Sequence, residues 1–505
     1  MLARATTATP WGTEARRVQV EVDVRFGLPQ IHIVGLPDTA VRESRQRVSA
    51  AISNCGYDLQ PSAVVINLAP ADLPKAGNHL DLAIAGALLA AHGRLPPDSL
   101  AGRLLVGELG LDGTVRPIRG SLSIAALGGR QGLCEILVPS DNAGEASAVA
   151  ALPVIPVTHL KEAIDHLNGT VPIRPFHYRD QAAPADTTLD LSDVRGQSVA
   201  RRALEIAAAG GHNLLLIGPP GGGKTMLVRR LPGILPPLSH EESVAVTQIH
   251  SLAAAGPLPG LLRHRPLRSP HSSVSSAGLL GGGSIPRPGE VTLAHCGVLF
   301  LDELPEFRRD ALEALRQPLE DGTITVVRTR GRISFPARFS LVAAMNPCRC
   351  GHLGDPRREC RCTPGEIARY RGRISGPLLD RIDMHVEVPA VTLGEIHDSA
   401  GETSAVVAQR VRRARRRQRR RWSSAAAEPT NAALCTAELR RQCRLHGAAQ
   451  RLLDAAFDRL GLSVRALTRI LKVSRTIADL AGNQTISAAD VAEAIQYRGP
   501  DSRQP

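Results

Sequence analysis

Residues 218–225 read Gly-Pro-Pro-Gly-Gly-Gly-Lys-Thr, directly after an apolar run at Asn213–Ile217 and directly before the apolar-periodic run MLVRRL. A strand, a glycine-rich loop and a helix in this order form the phosphate-binding loop of nucleoside triphosphatases, and such a loop needs a buried parallel sheet behind it. Gly218, Gly221, Gly222 and Gly223, with Pro219 and Pro220 between them, let backbone N–H groups converge on phosphate oxygens, and the helix N-terminus adds partial positive charge. Lys224 is expected to reach the outer phosphates and Thr225 to ligate Mg²⁺, so ATP with Mg²⁺ is the expected ligand.

A second apolar run, Val298-Leu-Phe-Leu, ends in the carboxylates Asp302 and Glu303. This is the Walker B pattern, in which Asp302 holds Mg²⁺ through water and Glu303 polarises the attacking water as general base. Asn346 closes the run LVAAMN and resembles a sensor 1 residue, which orients that water; a strand-capping asparagine is the alternative. Arg381 interrupts the apolar approach GPLLDRIDMHVEV. It looks like an arginine finger, worth roughly 10³ to 10⁵ in rate where it reaches a γ-phosphate, and a local ion pair with Asp380 or Asp383 is the competing reading. A finger acting in trans requires a ring.

At 505 residues the chain should hold about three folded units. Hydrophobic residues at 43% and charged residues at 22% supply ordinary cores and exclude global disorder. Aromatics are only 3%, so cores must rest on Val, Leu, Ile and Ala, and contact with nucleic acid should be to phosphates rather than by base stacking. With 61 Lys and Arg against 48 Asp and Glu, the formal charge of +13 favours a polyanionic partner. The longest apolar run, Leu82 to Ala91, is about half a membrane span and reads as a core helix, so no membrane partner is expected. The opening MLARATTATPWGTEARR lacks a signal-peptide core, and nine cysteines do not suit a secreted disulfide framework, so a cytoplasmic protein is expected.

Alternation at Val18, Val20, Val22 and Val24, repeated at Ile31 and Ile33, predicts a hairpin-like pair of strands. Asp38 should cap a helix with Val41, Val48, Ile52 and Cys55 on one face, stopped by Gly56. A strand at Ala63 to Leu68, a helix at Leu80 to His92, a turn at Asp112-Gly113, a helix near Ser121 to Leu127 and a strand at Glu135 to Val138 complete an α/β domain over 1–172. Residues 173–190 are rich in Pro, Ala and Asp without periodicity and predict an exposed linker. The nucleotide domain then spans 191–400, with buried parallel strands at Asn213 to Ile217, Gly297 to Leu301 and Ser340 to Ala344. Helices dominate 401–498, and 499–505 form a disordered tail.

Cys348, Cys350, Cys360 and Cys362 form C-x-C-x9-C-x-C. Four soft ligands with Gly351 and Gly354 between them could close a tetrahedral structural Zn²⁺ site, or remain reduced thiols. Residues 323–336 predict a hairpin inserted before Asn346, carrying Arg328, Arg330 and Arg332 as candidate contacts to DNA phosphates, with a plain surface hairpin as the alternative. From Arg410 to Arg421, nine of twelve residues are arginine and cover every face of a helix, so a polyanion or solvent should satisfy them.

The block LRSPHSSVSSAGLLGGGSIPRPGEVTLAHCGVLFLDELPEFRRDALEALRQPLEDG, then FSLVAAMNPCRCG and LSVRALTRILKVSRTIADL, resembles the magnesium-chelatase-like AAA+ ATPases of the YifB/ComM family. The front segments VEVDVRFGLPQIHIVGLPDTAVRESRQRV and VINLAPADLPKAGNHLDLAIA extend the resemblance over essentially the whole chain. It implies an α/β multidomain protein: a Lon-protease-like (ribosomal S5 domain 2-like) N-terminal domain, a central P-loop AAA+ domain, a C-terminal helical lid and a homohexameric ring. It also implies DNA branch migration during homologous recombination, and a sensor 2 role for Arg465, touching nucleotide phosphates from the lid. LPKAGNHLDLAIAGALLAA is similar to the Lon segment that carries the serine nucleophile, but His79 stands at that position, and Ser121 and Leu122 stand where the Lon lysine should fall. Peptidase chemistry needs both partners, so a degenerate scaffold is expected instead. A motor acting on proteins and a metal-chelatase motor subunit are the other two readings of the same ATPase core.

Overall fold

Small and branched residues alternate from the second residue onward, and this pattern starts the sheet of the front domain. Leu2–Trp11 and Glu14–Arg25 pair antiparallel across a turn at Gly12 and Thr13, burying Ala3, Ala5, Val18, Val20 and Val22. The computed structural model describes residues 1–178, 189–254, 256–283, 287–328, 331–355, 357–392, 394–395, 401–422 and 430–498. The front sheet has seven strands, in the spatial order Gln30–Val34, Ala63–Ala69, Glu14–Arg25, Leu2–Trp11, Arg103–Leu105, Glu135–Pro139 and Val154–Val157.

The hairpin expected between residues 18–24 and 31–33 does not form. Ala63–Ala69 lies between them, antiparallel to Glu14–Arg25 and parallel to Gln30–Val34. Residues 26–29 therefore cross two strand spacings, roughly 10 Å, a gap that side-chain alternation cannot distinguish from a tight turn. The helix Thr39–Asn54 begins as the sequence predicts, with Asp38 accepting a hydrogen bond from the Val41 N–H at 2.8 Å. Asp81–Ala91 is buried along its whole length, and no helix among the described residues is long and apolar enough to cross a membrane. A last strand, Val154–Val157, and the helix Leu160–Leu167 are additions that the periodicity does not predict. The Phe176 N–H donates to Val154 O at 2.7 Å and ties down the start of the expected linker. Residues 179–188 of that linker and the tail 499–505 lie outside the described residues.

The second sheet is five-stranded and parallel, in the order Leu267–Arg268, Val298–Leu301, Ser340–Met345, Leu214–Ile217 and Met384–Glu387. Leu214–Ile217 and Val298–Leu301 are buried at every residue, as strands covered by helices on both faces must be. Because the strands are parallel, their C-terminal ends bring the glycine loop, Asp302 and Asn346 to one edge, where ligands bind in open α/β sheets. The front domain contacts this module through the Gly120 N–H on Ser251 Oγ at 3.2 Å, and through Gly12, where a Cβ would lie 2.9 Å from Ile333.

Helices at Ser404–Arg421, Thr436–Gln442, Ala448–Leu460, Val464–Ala481 and Ala488–Gln496 complete the chain. They share one apolar core with the nucleotide module, including Leu204, Leu214, Val411, Val473 and Ile477. The arginine-rich helix differs from expectation: it has a buried face. Val411, Ala414 and Gln418, the three residues of the block that are not arginine, fall on that face at i, i+3 and i+7, together with Val407. Several of its arginines are engaged internally: Arg410 pairs with Glu205 and Glu402, Arg415 donates to Ala208 O at 2.9 Å, and Arg421 pairs with Asp479. The carbonyl of Ala208 lies in the last turn of the helix Ser198–Gly210, whose C-terminal carbonyls attract cations.

At the base of the central strand, Asp383 accepts the Asn213 N–H at 2.9 Å and faces Arg469 at 3.3 Å and His212 at 3.6 Å. Burial alone would raise its pKa, but His212, then Arg469 and the Asn213 N–H, hold it at about 2. A carboxylate depressed on folding contributes stability above its unfolded pKa, near 3.9, that is lost as pH falls through the folded value. Urea unfolding at stepped pH should show the wild type losing roughly 2 kcal/mol more than Asp383→Asn between about pH 5 and pH 2. Parallel losses in the two proteins would remove Asp383 from this role.

Candidate nucleotide site

Gly218 must lack a side chain, since a Cβ there would lie 2.0 Å from the Val388 carbonyl oxygen. Gly223 caps the helix Lys224–Arg229 at φ +81°, a conformation open to glycine at little cost. Lys224 Nζ donates to Gly218 O at 2.7 Å, Pro219 O at 2.9 Å and Asn346 Oδ1 at 3.1 Å. The Thr225 hydroxyl donates to Asp302 Oδ2 at 2.6 Å. Residues as far as 122 positions apart are thus in direct hydrogen-bond contact. Burial pushes the Lys224 ammonium below its ordinary pKa, and Asp302 and Glu303 oppose that shift. The donor set fits MgATP: an ammonium and leading helix amides for phosphate oxygens, and a hydroxyl–carboxylate pair for the metal of the substrate.

Glu303 follows the strand at φ +54°, in the left-handed region. That conformation costs a non-glycine residue on the order of 1 kcal/mol. Its N–H donates to Asp302 Oδ1 at 3.0 Å, and its carbonyl accepts from the Glu306 N–H at 2.8 Å. The side chain is exposed, and its carboxylate makes no hydrogen bond among the described residues. A base that must take a proton from water needs such a free acceptor.

Two residues of this site escape sequence reasoning. Gln197, at φ +53°, donates from Nε2 to Pro389 O at 2.5 Å and to Gly222 O at 3.4 Å, holding the glycine loop against the segment after the last strand. Buried Tyr370, whose pKa is pushed up to about 12 by burial, stands on the helix Pro364–Arg371 that follows Asn346. Neither residue stands in a periodic run; the only local sign of Gln197 is its place in the segment DLSDVRGQ that opens the module.

Arg381 and Arg465 are not brought to the glycine loop of their own chain. The Arg381 carbonyl accepts from Asn213 Nδ2 at 2.9 Å, at the start of the central strand, while the loop follows its end, roughly 16 Å away at 3.3 Å per residue. The Arg381 guanidinium donates to Pro377 O at 2.7 Å and pairs with Glu320, not with the Asp380 or Asp383 of the competing reading. Arg465 is 68% exposed, with Asp380 at 4.0 Å. With Asp380 as its neighbour, Arg465 sits just ahead of the strand Met384–Glu387.

The hairpin before Asn346 is present as Thr323–Arg328 and Gly331–Pro336, with Val327 opposite Arg332. Ile324, Val326, Ile333 and Phe335 bury one face, and Arg332 is exposed on the other. Arg328 ends the first strand, and Arg330 lies outside the described residues. Directly after Asn346, the sulfurs of Cys348, Cys350, Cys360 and Cys362 lie within 4.8 Å of one another.

In the front domain, the Ser121 hydroxyl is bonded to Glu145, and buried Lys75 donates to Pro70 O. His79 is buried, and that burial, only partly offset by Asp38, lowers its pKa to about 4. No serine–lysine pair is formed by these residues.

Three family models match the chain: "Magnesium chelatase, subunit ChlI" over residues 190–396, "Subunit ChlI of Mg-chelatase" over 20–142 and "Magnesium chelatase, subunit ChlI C-terminal" over 401–498. The chain is 46% identical over 502 residues to the uncharacterized protein YifB of Salmonella typhimurium, covering 99% of this chain and 97% of that protein. It is 43% identical over 493 residues to the competence protein ComM of Haemophilus influenzae, covering 96% and 95%. A shorter similarity, 30% over 145 residues, links 26% of this chain to 25% of Lon protease 2 of Bacillus subtilis.

Proposed function

This chain belongs to the YifB/ComM family of magnesium-chelatase-like AAA+ ATPases, and on that premise we propose that it is a cytoplasmic homohexameric motor. It couples ATP hydrolysis to movement along DNA, in branch migration of recombining strands. The observation that carries the reading is the insertion of an arginine-bearing hairpin between the Walker B strand and the strand of Asn346, so that one structural unit joins the hydrolytic site to a basic loop. The Haemophilus relative's name ties it to competence, which directs the substrate reading to DNA. Arg381 and Arg465 serve the neighbouring subunit's nucleotide in this reading; their distance from their own glycine loop supports action in trans. The front domain serves as a scaffold, and the clustered cysteines carry structural zinc.

ATP hydrolysis measured without DNA, with single-stranded DNA and with forked DNA tests the proposal. Stimulation, strongest on the fork and lost in Arg381→Ala, is expected. Replacing Arg328, Arg330 and Arg332 together by Ala should lower the salt slope of duplex binding by up to about 0.9 per phosphate contact removed. The family models' descriptions keep a second reading in view, a chelatase motor subunit. Hexameric, hydrolytically active protein that ignores every DNA would favour that reading or a protein-remodelling motor.

A further inference from the structure

The loop after Asn346 leaves the nucleotide site and returns to it. Cys348 is fully buried two residues beyond Asn346, and the helix Pro364–Arg371 brings the chain back, with Arg371 Nε donating to Pro347 O at 3.2 Å. All four clustered cysteines lie between Pro347 and Arg371. Their sulfurs are 3.3 Å apart for Cys348 and Cys350, 3.7 Å for Cys348 and Cys360 and 3.6 Å for Cys350 and Cys360, with Cys362 within 4.8 Å of the rest. A disulfide would need about 2.05 Å. A ZnS₄ tetrahedron with bonds near 2.3 Å has edges of about 3.8 Å, which these separations approach.

The same loop presses on the phosphate-binding loop. A Cβ on Gly351, which sits at φ +85°, would lie 2.7 Å from Pro220 Cδ. Arg357 donates to Val391 O at 2.9 Å, anchoring the far side of the loop to the segment that backs Gly218 and Gly222.

We infer that Cys348, Cys350, Cys360 and Cys362 bind one Zn²⁺ per chain, and that this ion braces Pro220 and Asn346 so that nucleotide binding depends on it. The inference rests on the nucleotide reading of the site. Four thiolates replace the entropy of an open loop with one rigid closure, and a loop so closed can hold Gly351 in contact with Pro220. Zinc is favoured over iron because nothing in the ATPase chemistry uses an electron; both accept four sulfurs in a tetrahedron.

The test uses the full chain, purified with zinc present and then washed with EDTA. Elemental analysis should find one zinc and no iron per chain, and cobalt exchanged into the site should show thiolate-to-metal absorption. Binding of a fluorescent ATP analogue in excess Mg²⁺ should weaken roughly tenfold or more in the Cys360→Ser, Cys362→Ser double variant. Because that variant could lose its fold, Gly351→Ala is the companion: it should keep its zinc and still bind the analogue roughly tenfold more weakly. Iron, or no metal, in the washed protein overturns the site. Zinc present in the wild type, with nucleotide affinity unchanged in both variants, overturns the brace. Failure of the wild type itself to bind the analogue would overturn the nucleotide reading, an outcome distinct from the other two.

Discussion

Glu303→Gln should bind ATP with near wild-type affinity and hydrolyse it at least about 10²-fold more slowly, the usual worth of a general base. Glutamine keeps the size and shape of the side chain and leaves the backbone N–H of residue 303 on Asp302 Oδ1, so the strand end and the Thr225–Asp302 pair stay in place. What disappears is the capacity to accept a proton. The exposed carboxylate has no partner among the described residues, so no structural contact is lost with it and the effect should fall on turnover alone. Single-turnover hydrolysis, run beside equilibrium binding of an ATP analogue, separates these outcomes. Normal turnover would dismiss Glu303 as the base and direct attention to Glu306, which follows in the same turn.

The largest expected effect on stability comes from a residue far from the phosphates. Asp479, fully buried in the helix Val464–Ala481, is forked by Arg421 on both oxygens, touched by Arg475 at 3.0 Å and hydrogen-bonded by Asn431 at 2.9 Å. Asn431 also bonds Thr476 at 3.0 Å, and Thr476 bonds His212 at 2.7 Å, at the foot of the central strand. Asp479→Ala would leave two guanidiniums without their carboxylate, one of them almost wholly buried, and breaking such a pair costs roughly 3 to 5 kcal/mol. Urea denaturation should show that loss. The double replacement Asp479→Ala with Arg475→Met should recover part of it, because the stranded charge is removed along with its partner. A loss below about 1 kcal/mol would place Asp479 among ordinary surface ion pairs.

The elements that carry the candidate nucleotide site are legible in the sequence. Gly218 to Thr225, Asp302 with Glu303, and Asn346 each sit at the end of an apolar run, and a strand followed by a characteristic turn is a local pattern. The arginines were not legible in the same way. Nine arginines in twelve residues point to a polyanion or to solvent on every face of the helix, yet Val411, Ala414 and Gln418 fold onto a buried face, and Arg410, Arg415 and Arg421 turn to Glu205, Ala208 and Asp479. A charged side chain carries no sign of its partner in the sequence, because that partner lies up to 207 positions away.

Element type, the glycine loop, the Walker B acids and the α/β character of the first two domains follow from side-chain period and turn chemistry, which act over a few residues and need no tertiary context. Three features needed the folded chain: the insertion of Ala63–Ala69 between two strands that read as a hairpin, the placement of Arg381 and Arg465 at the strand starts, and the contact of the cysteine loop with Pro220. Each is a contact between segments distant in sequence. Such contacts are selected by the burial of a shared core and by the satisfaction of buried charges, free energies that belong to the whole fold and leave no periodic mark on either segment.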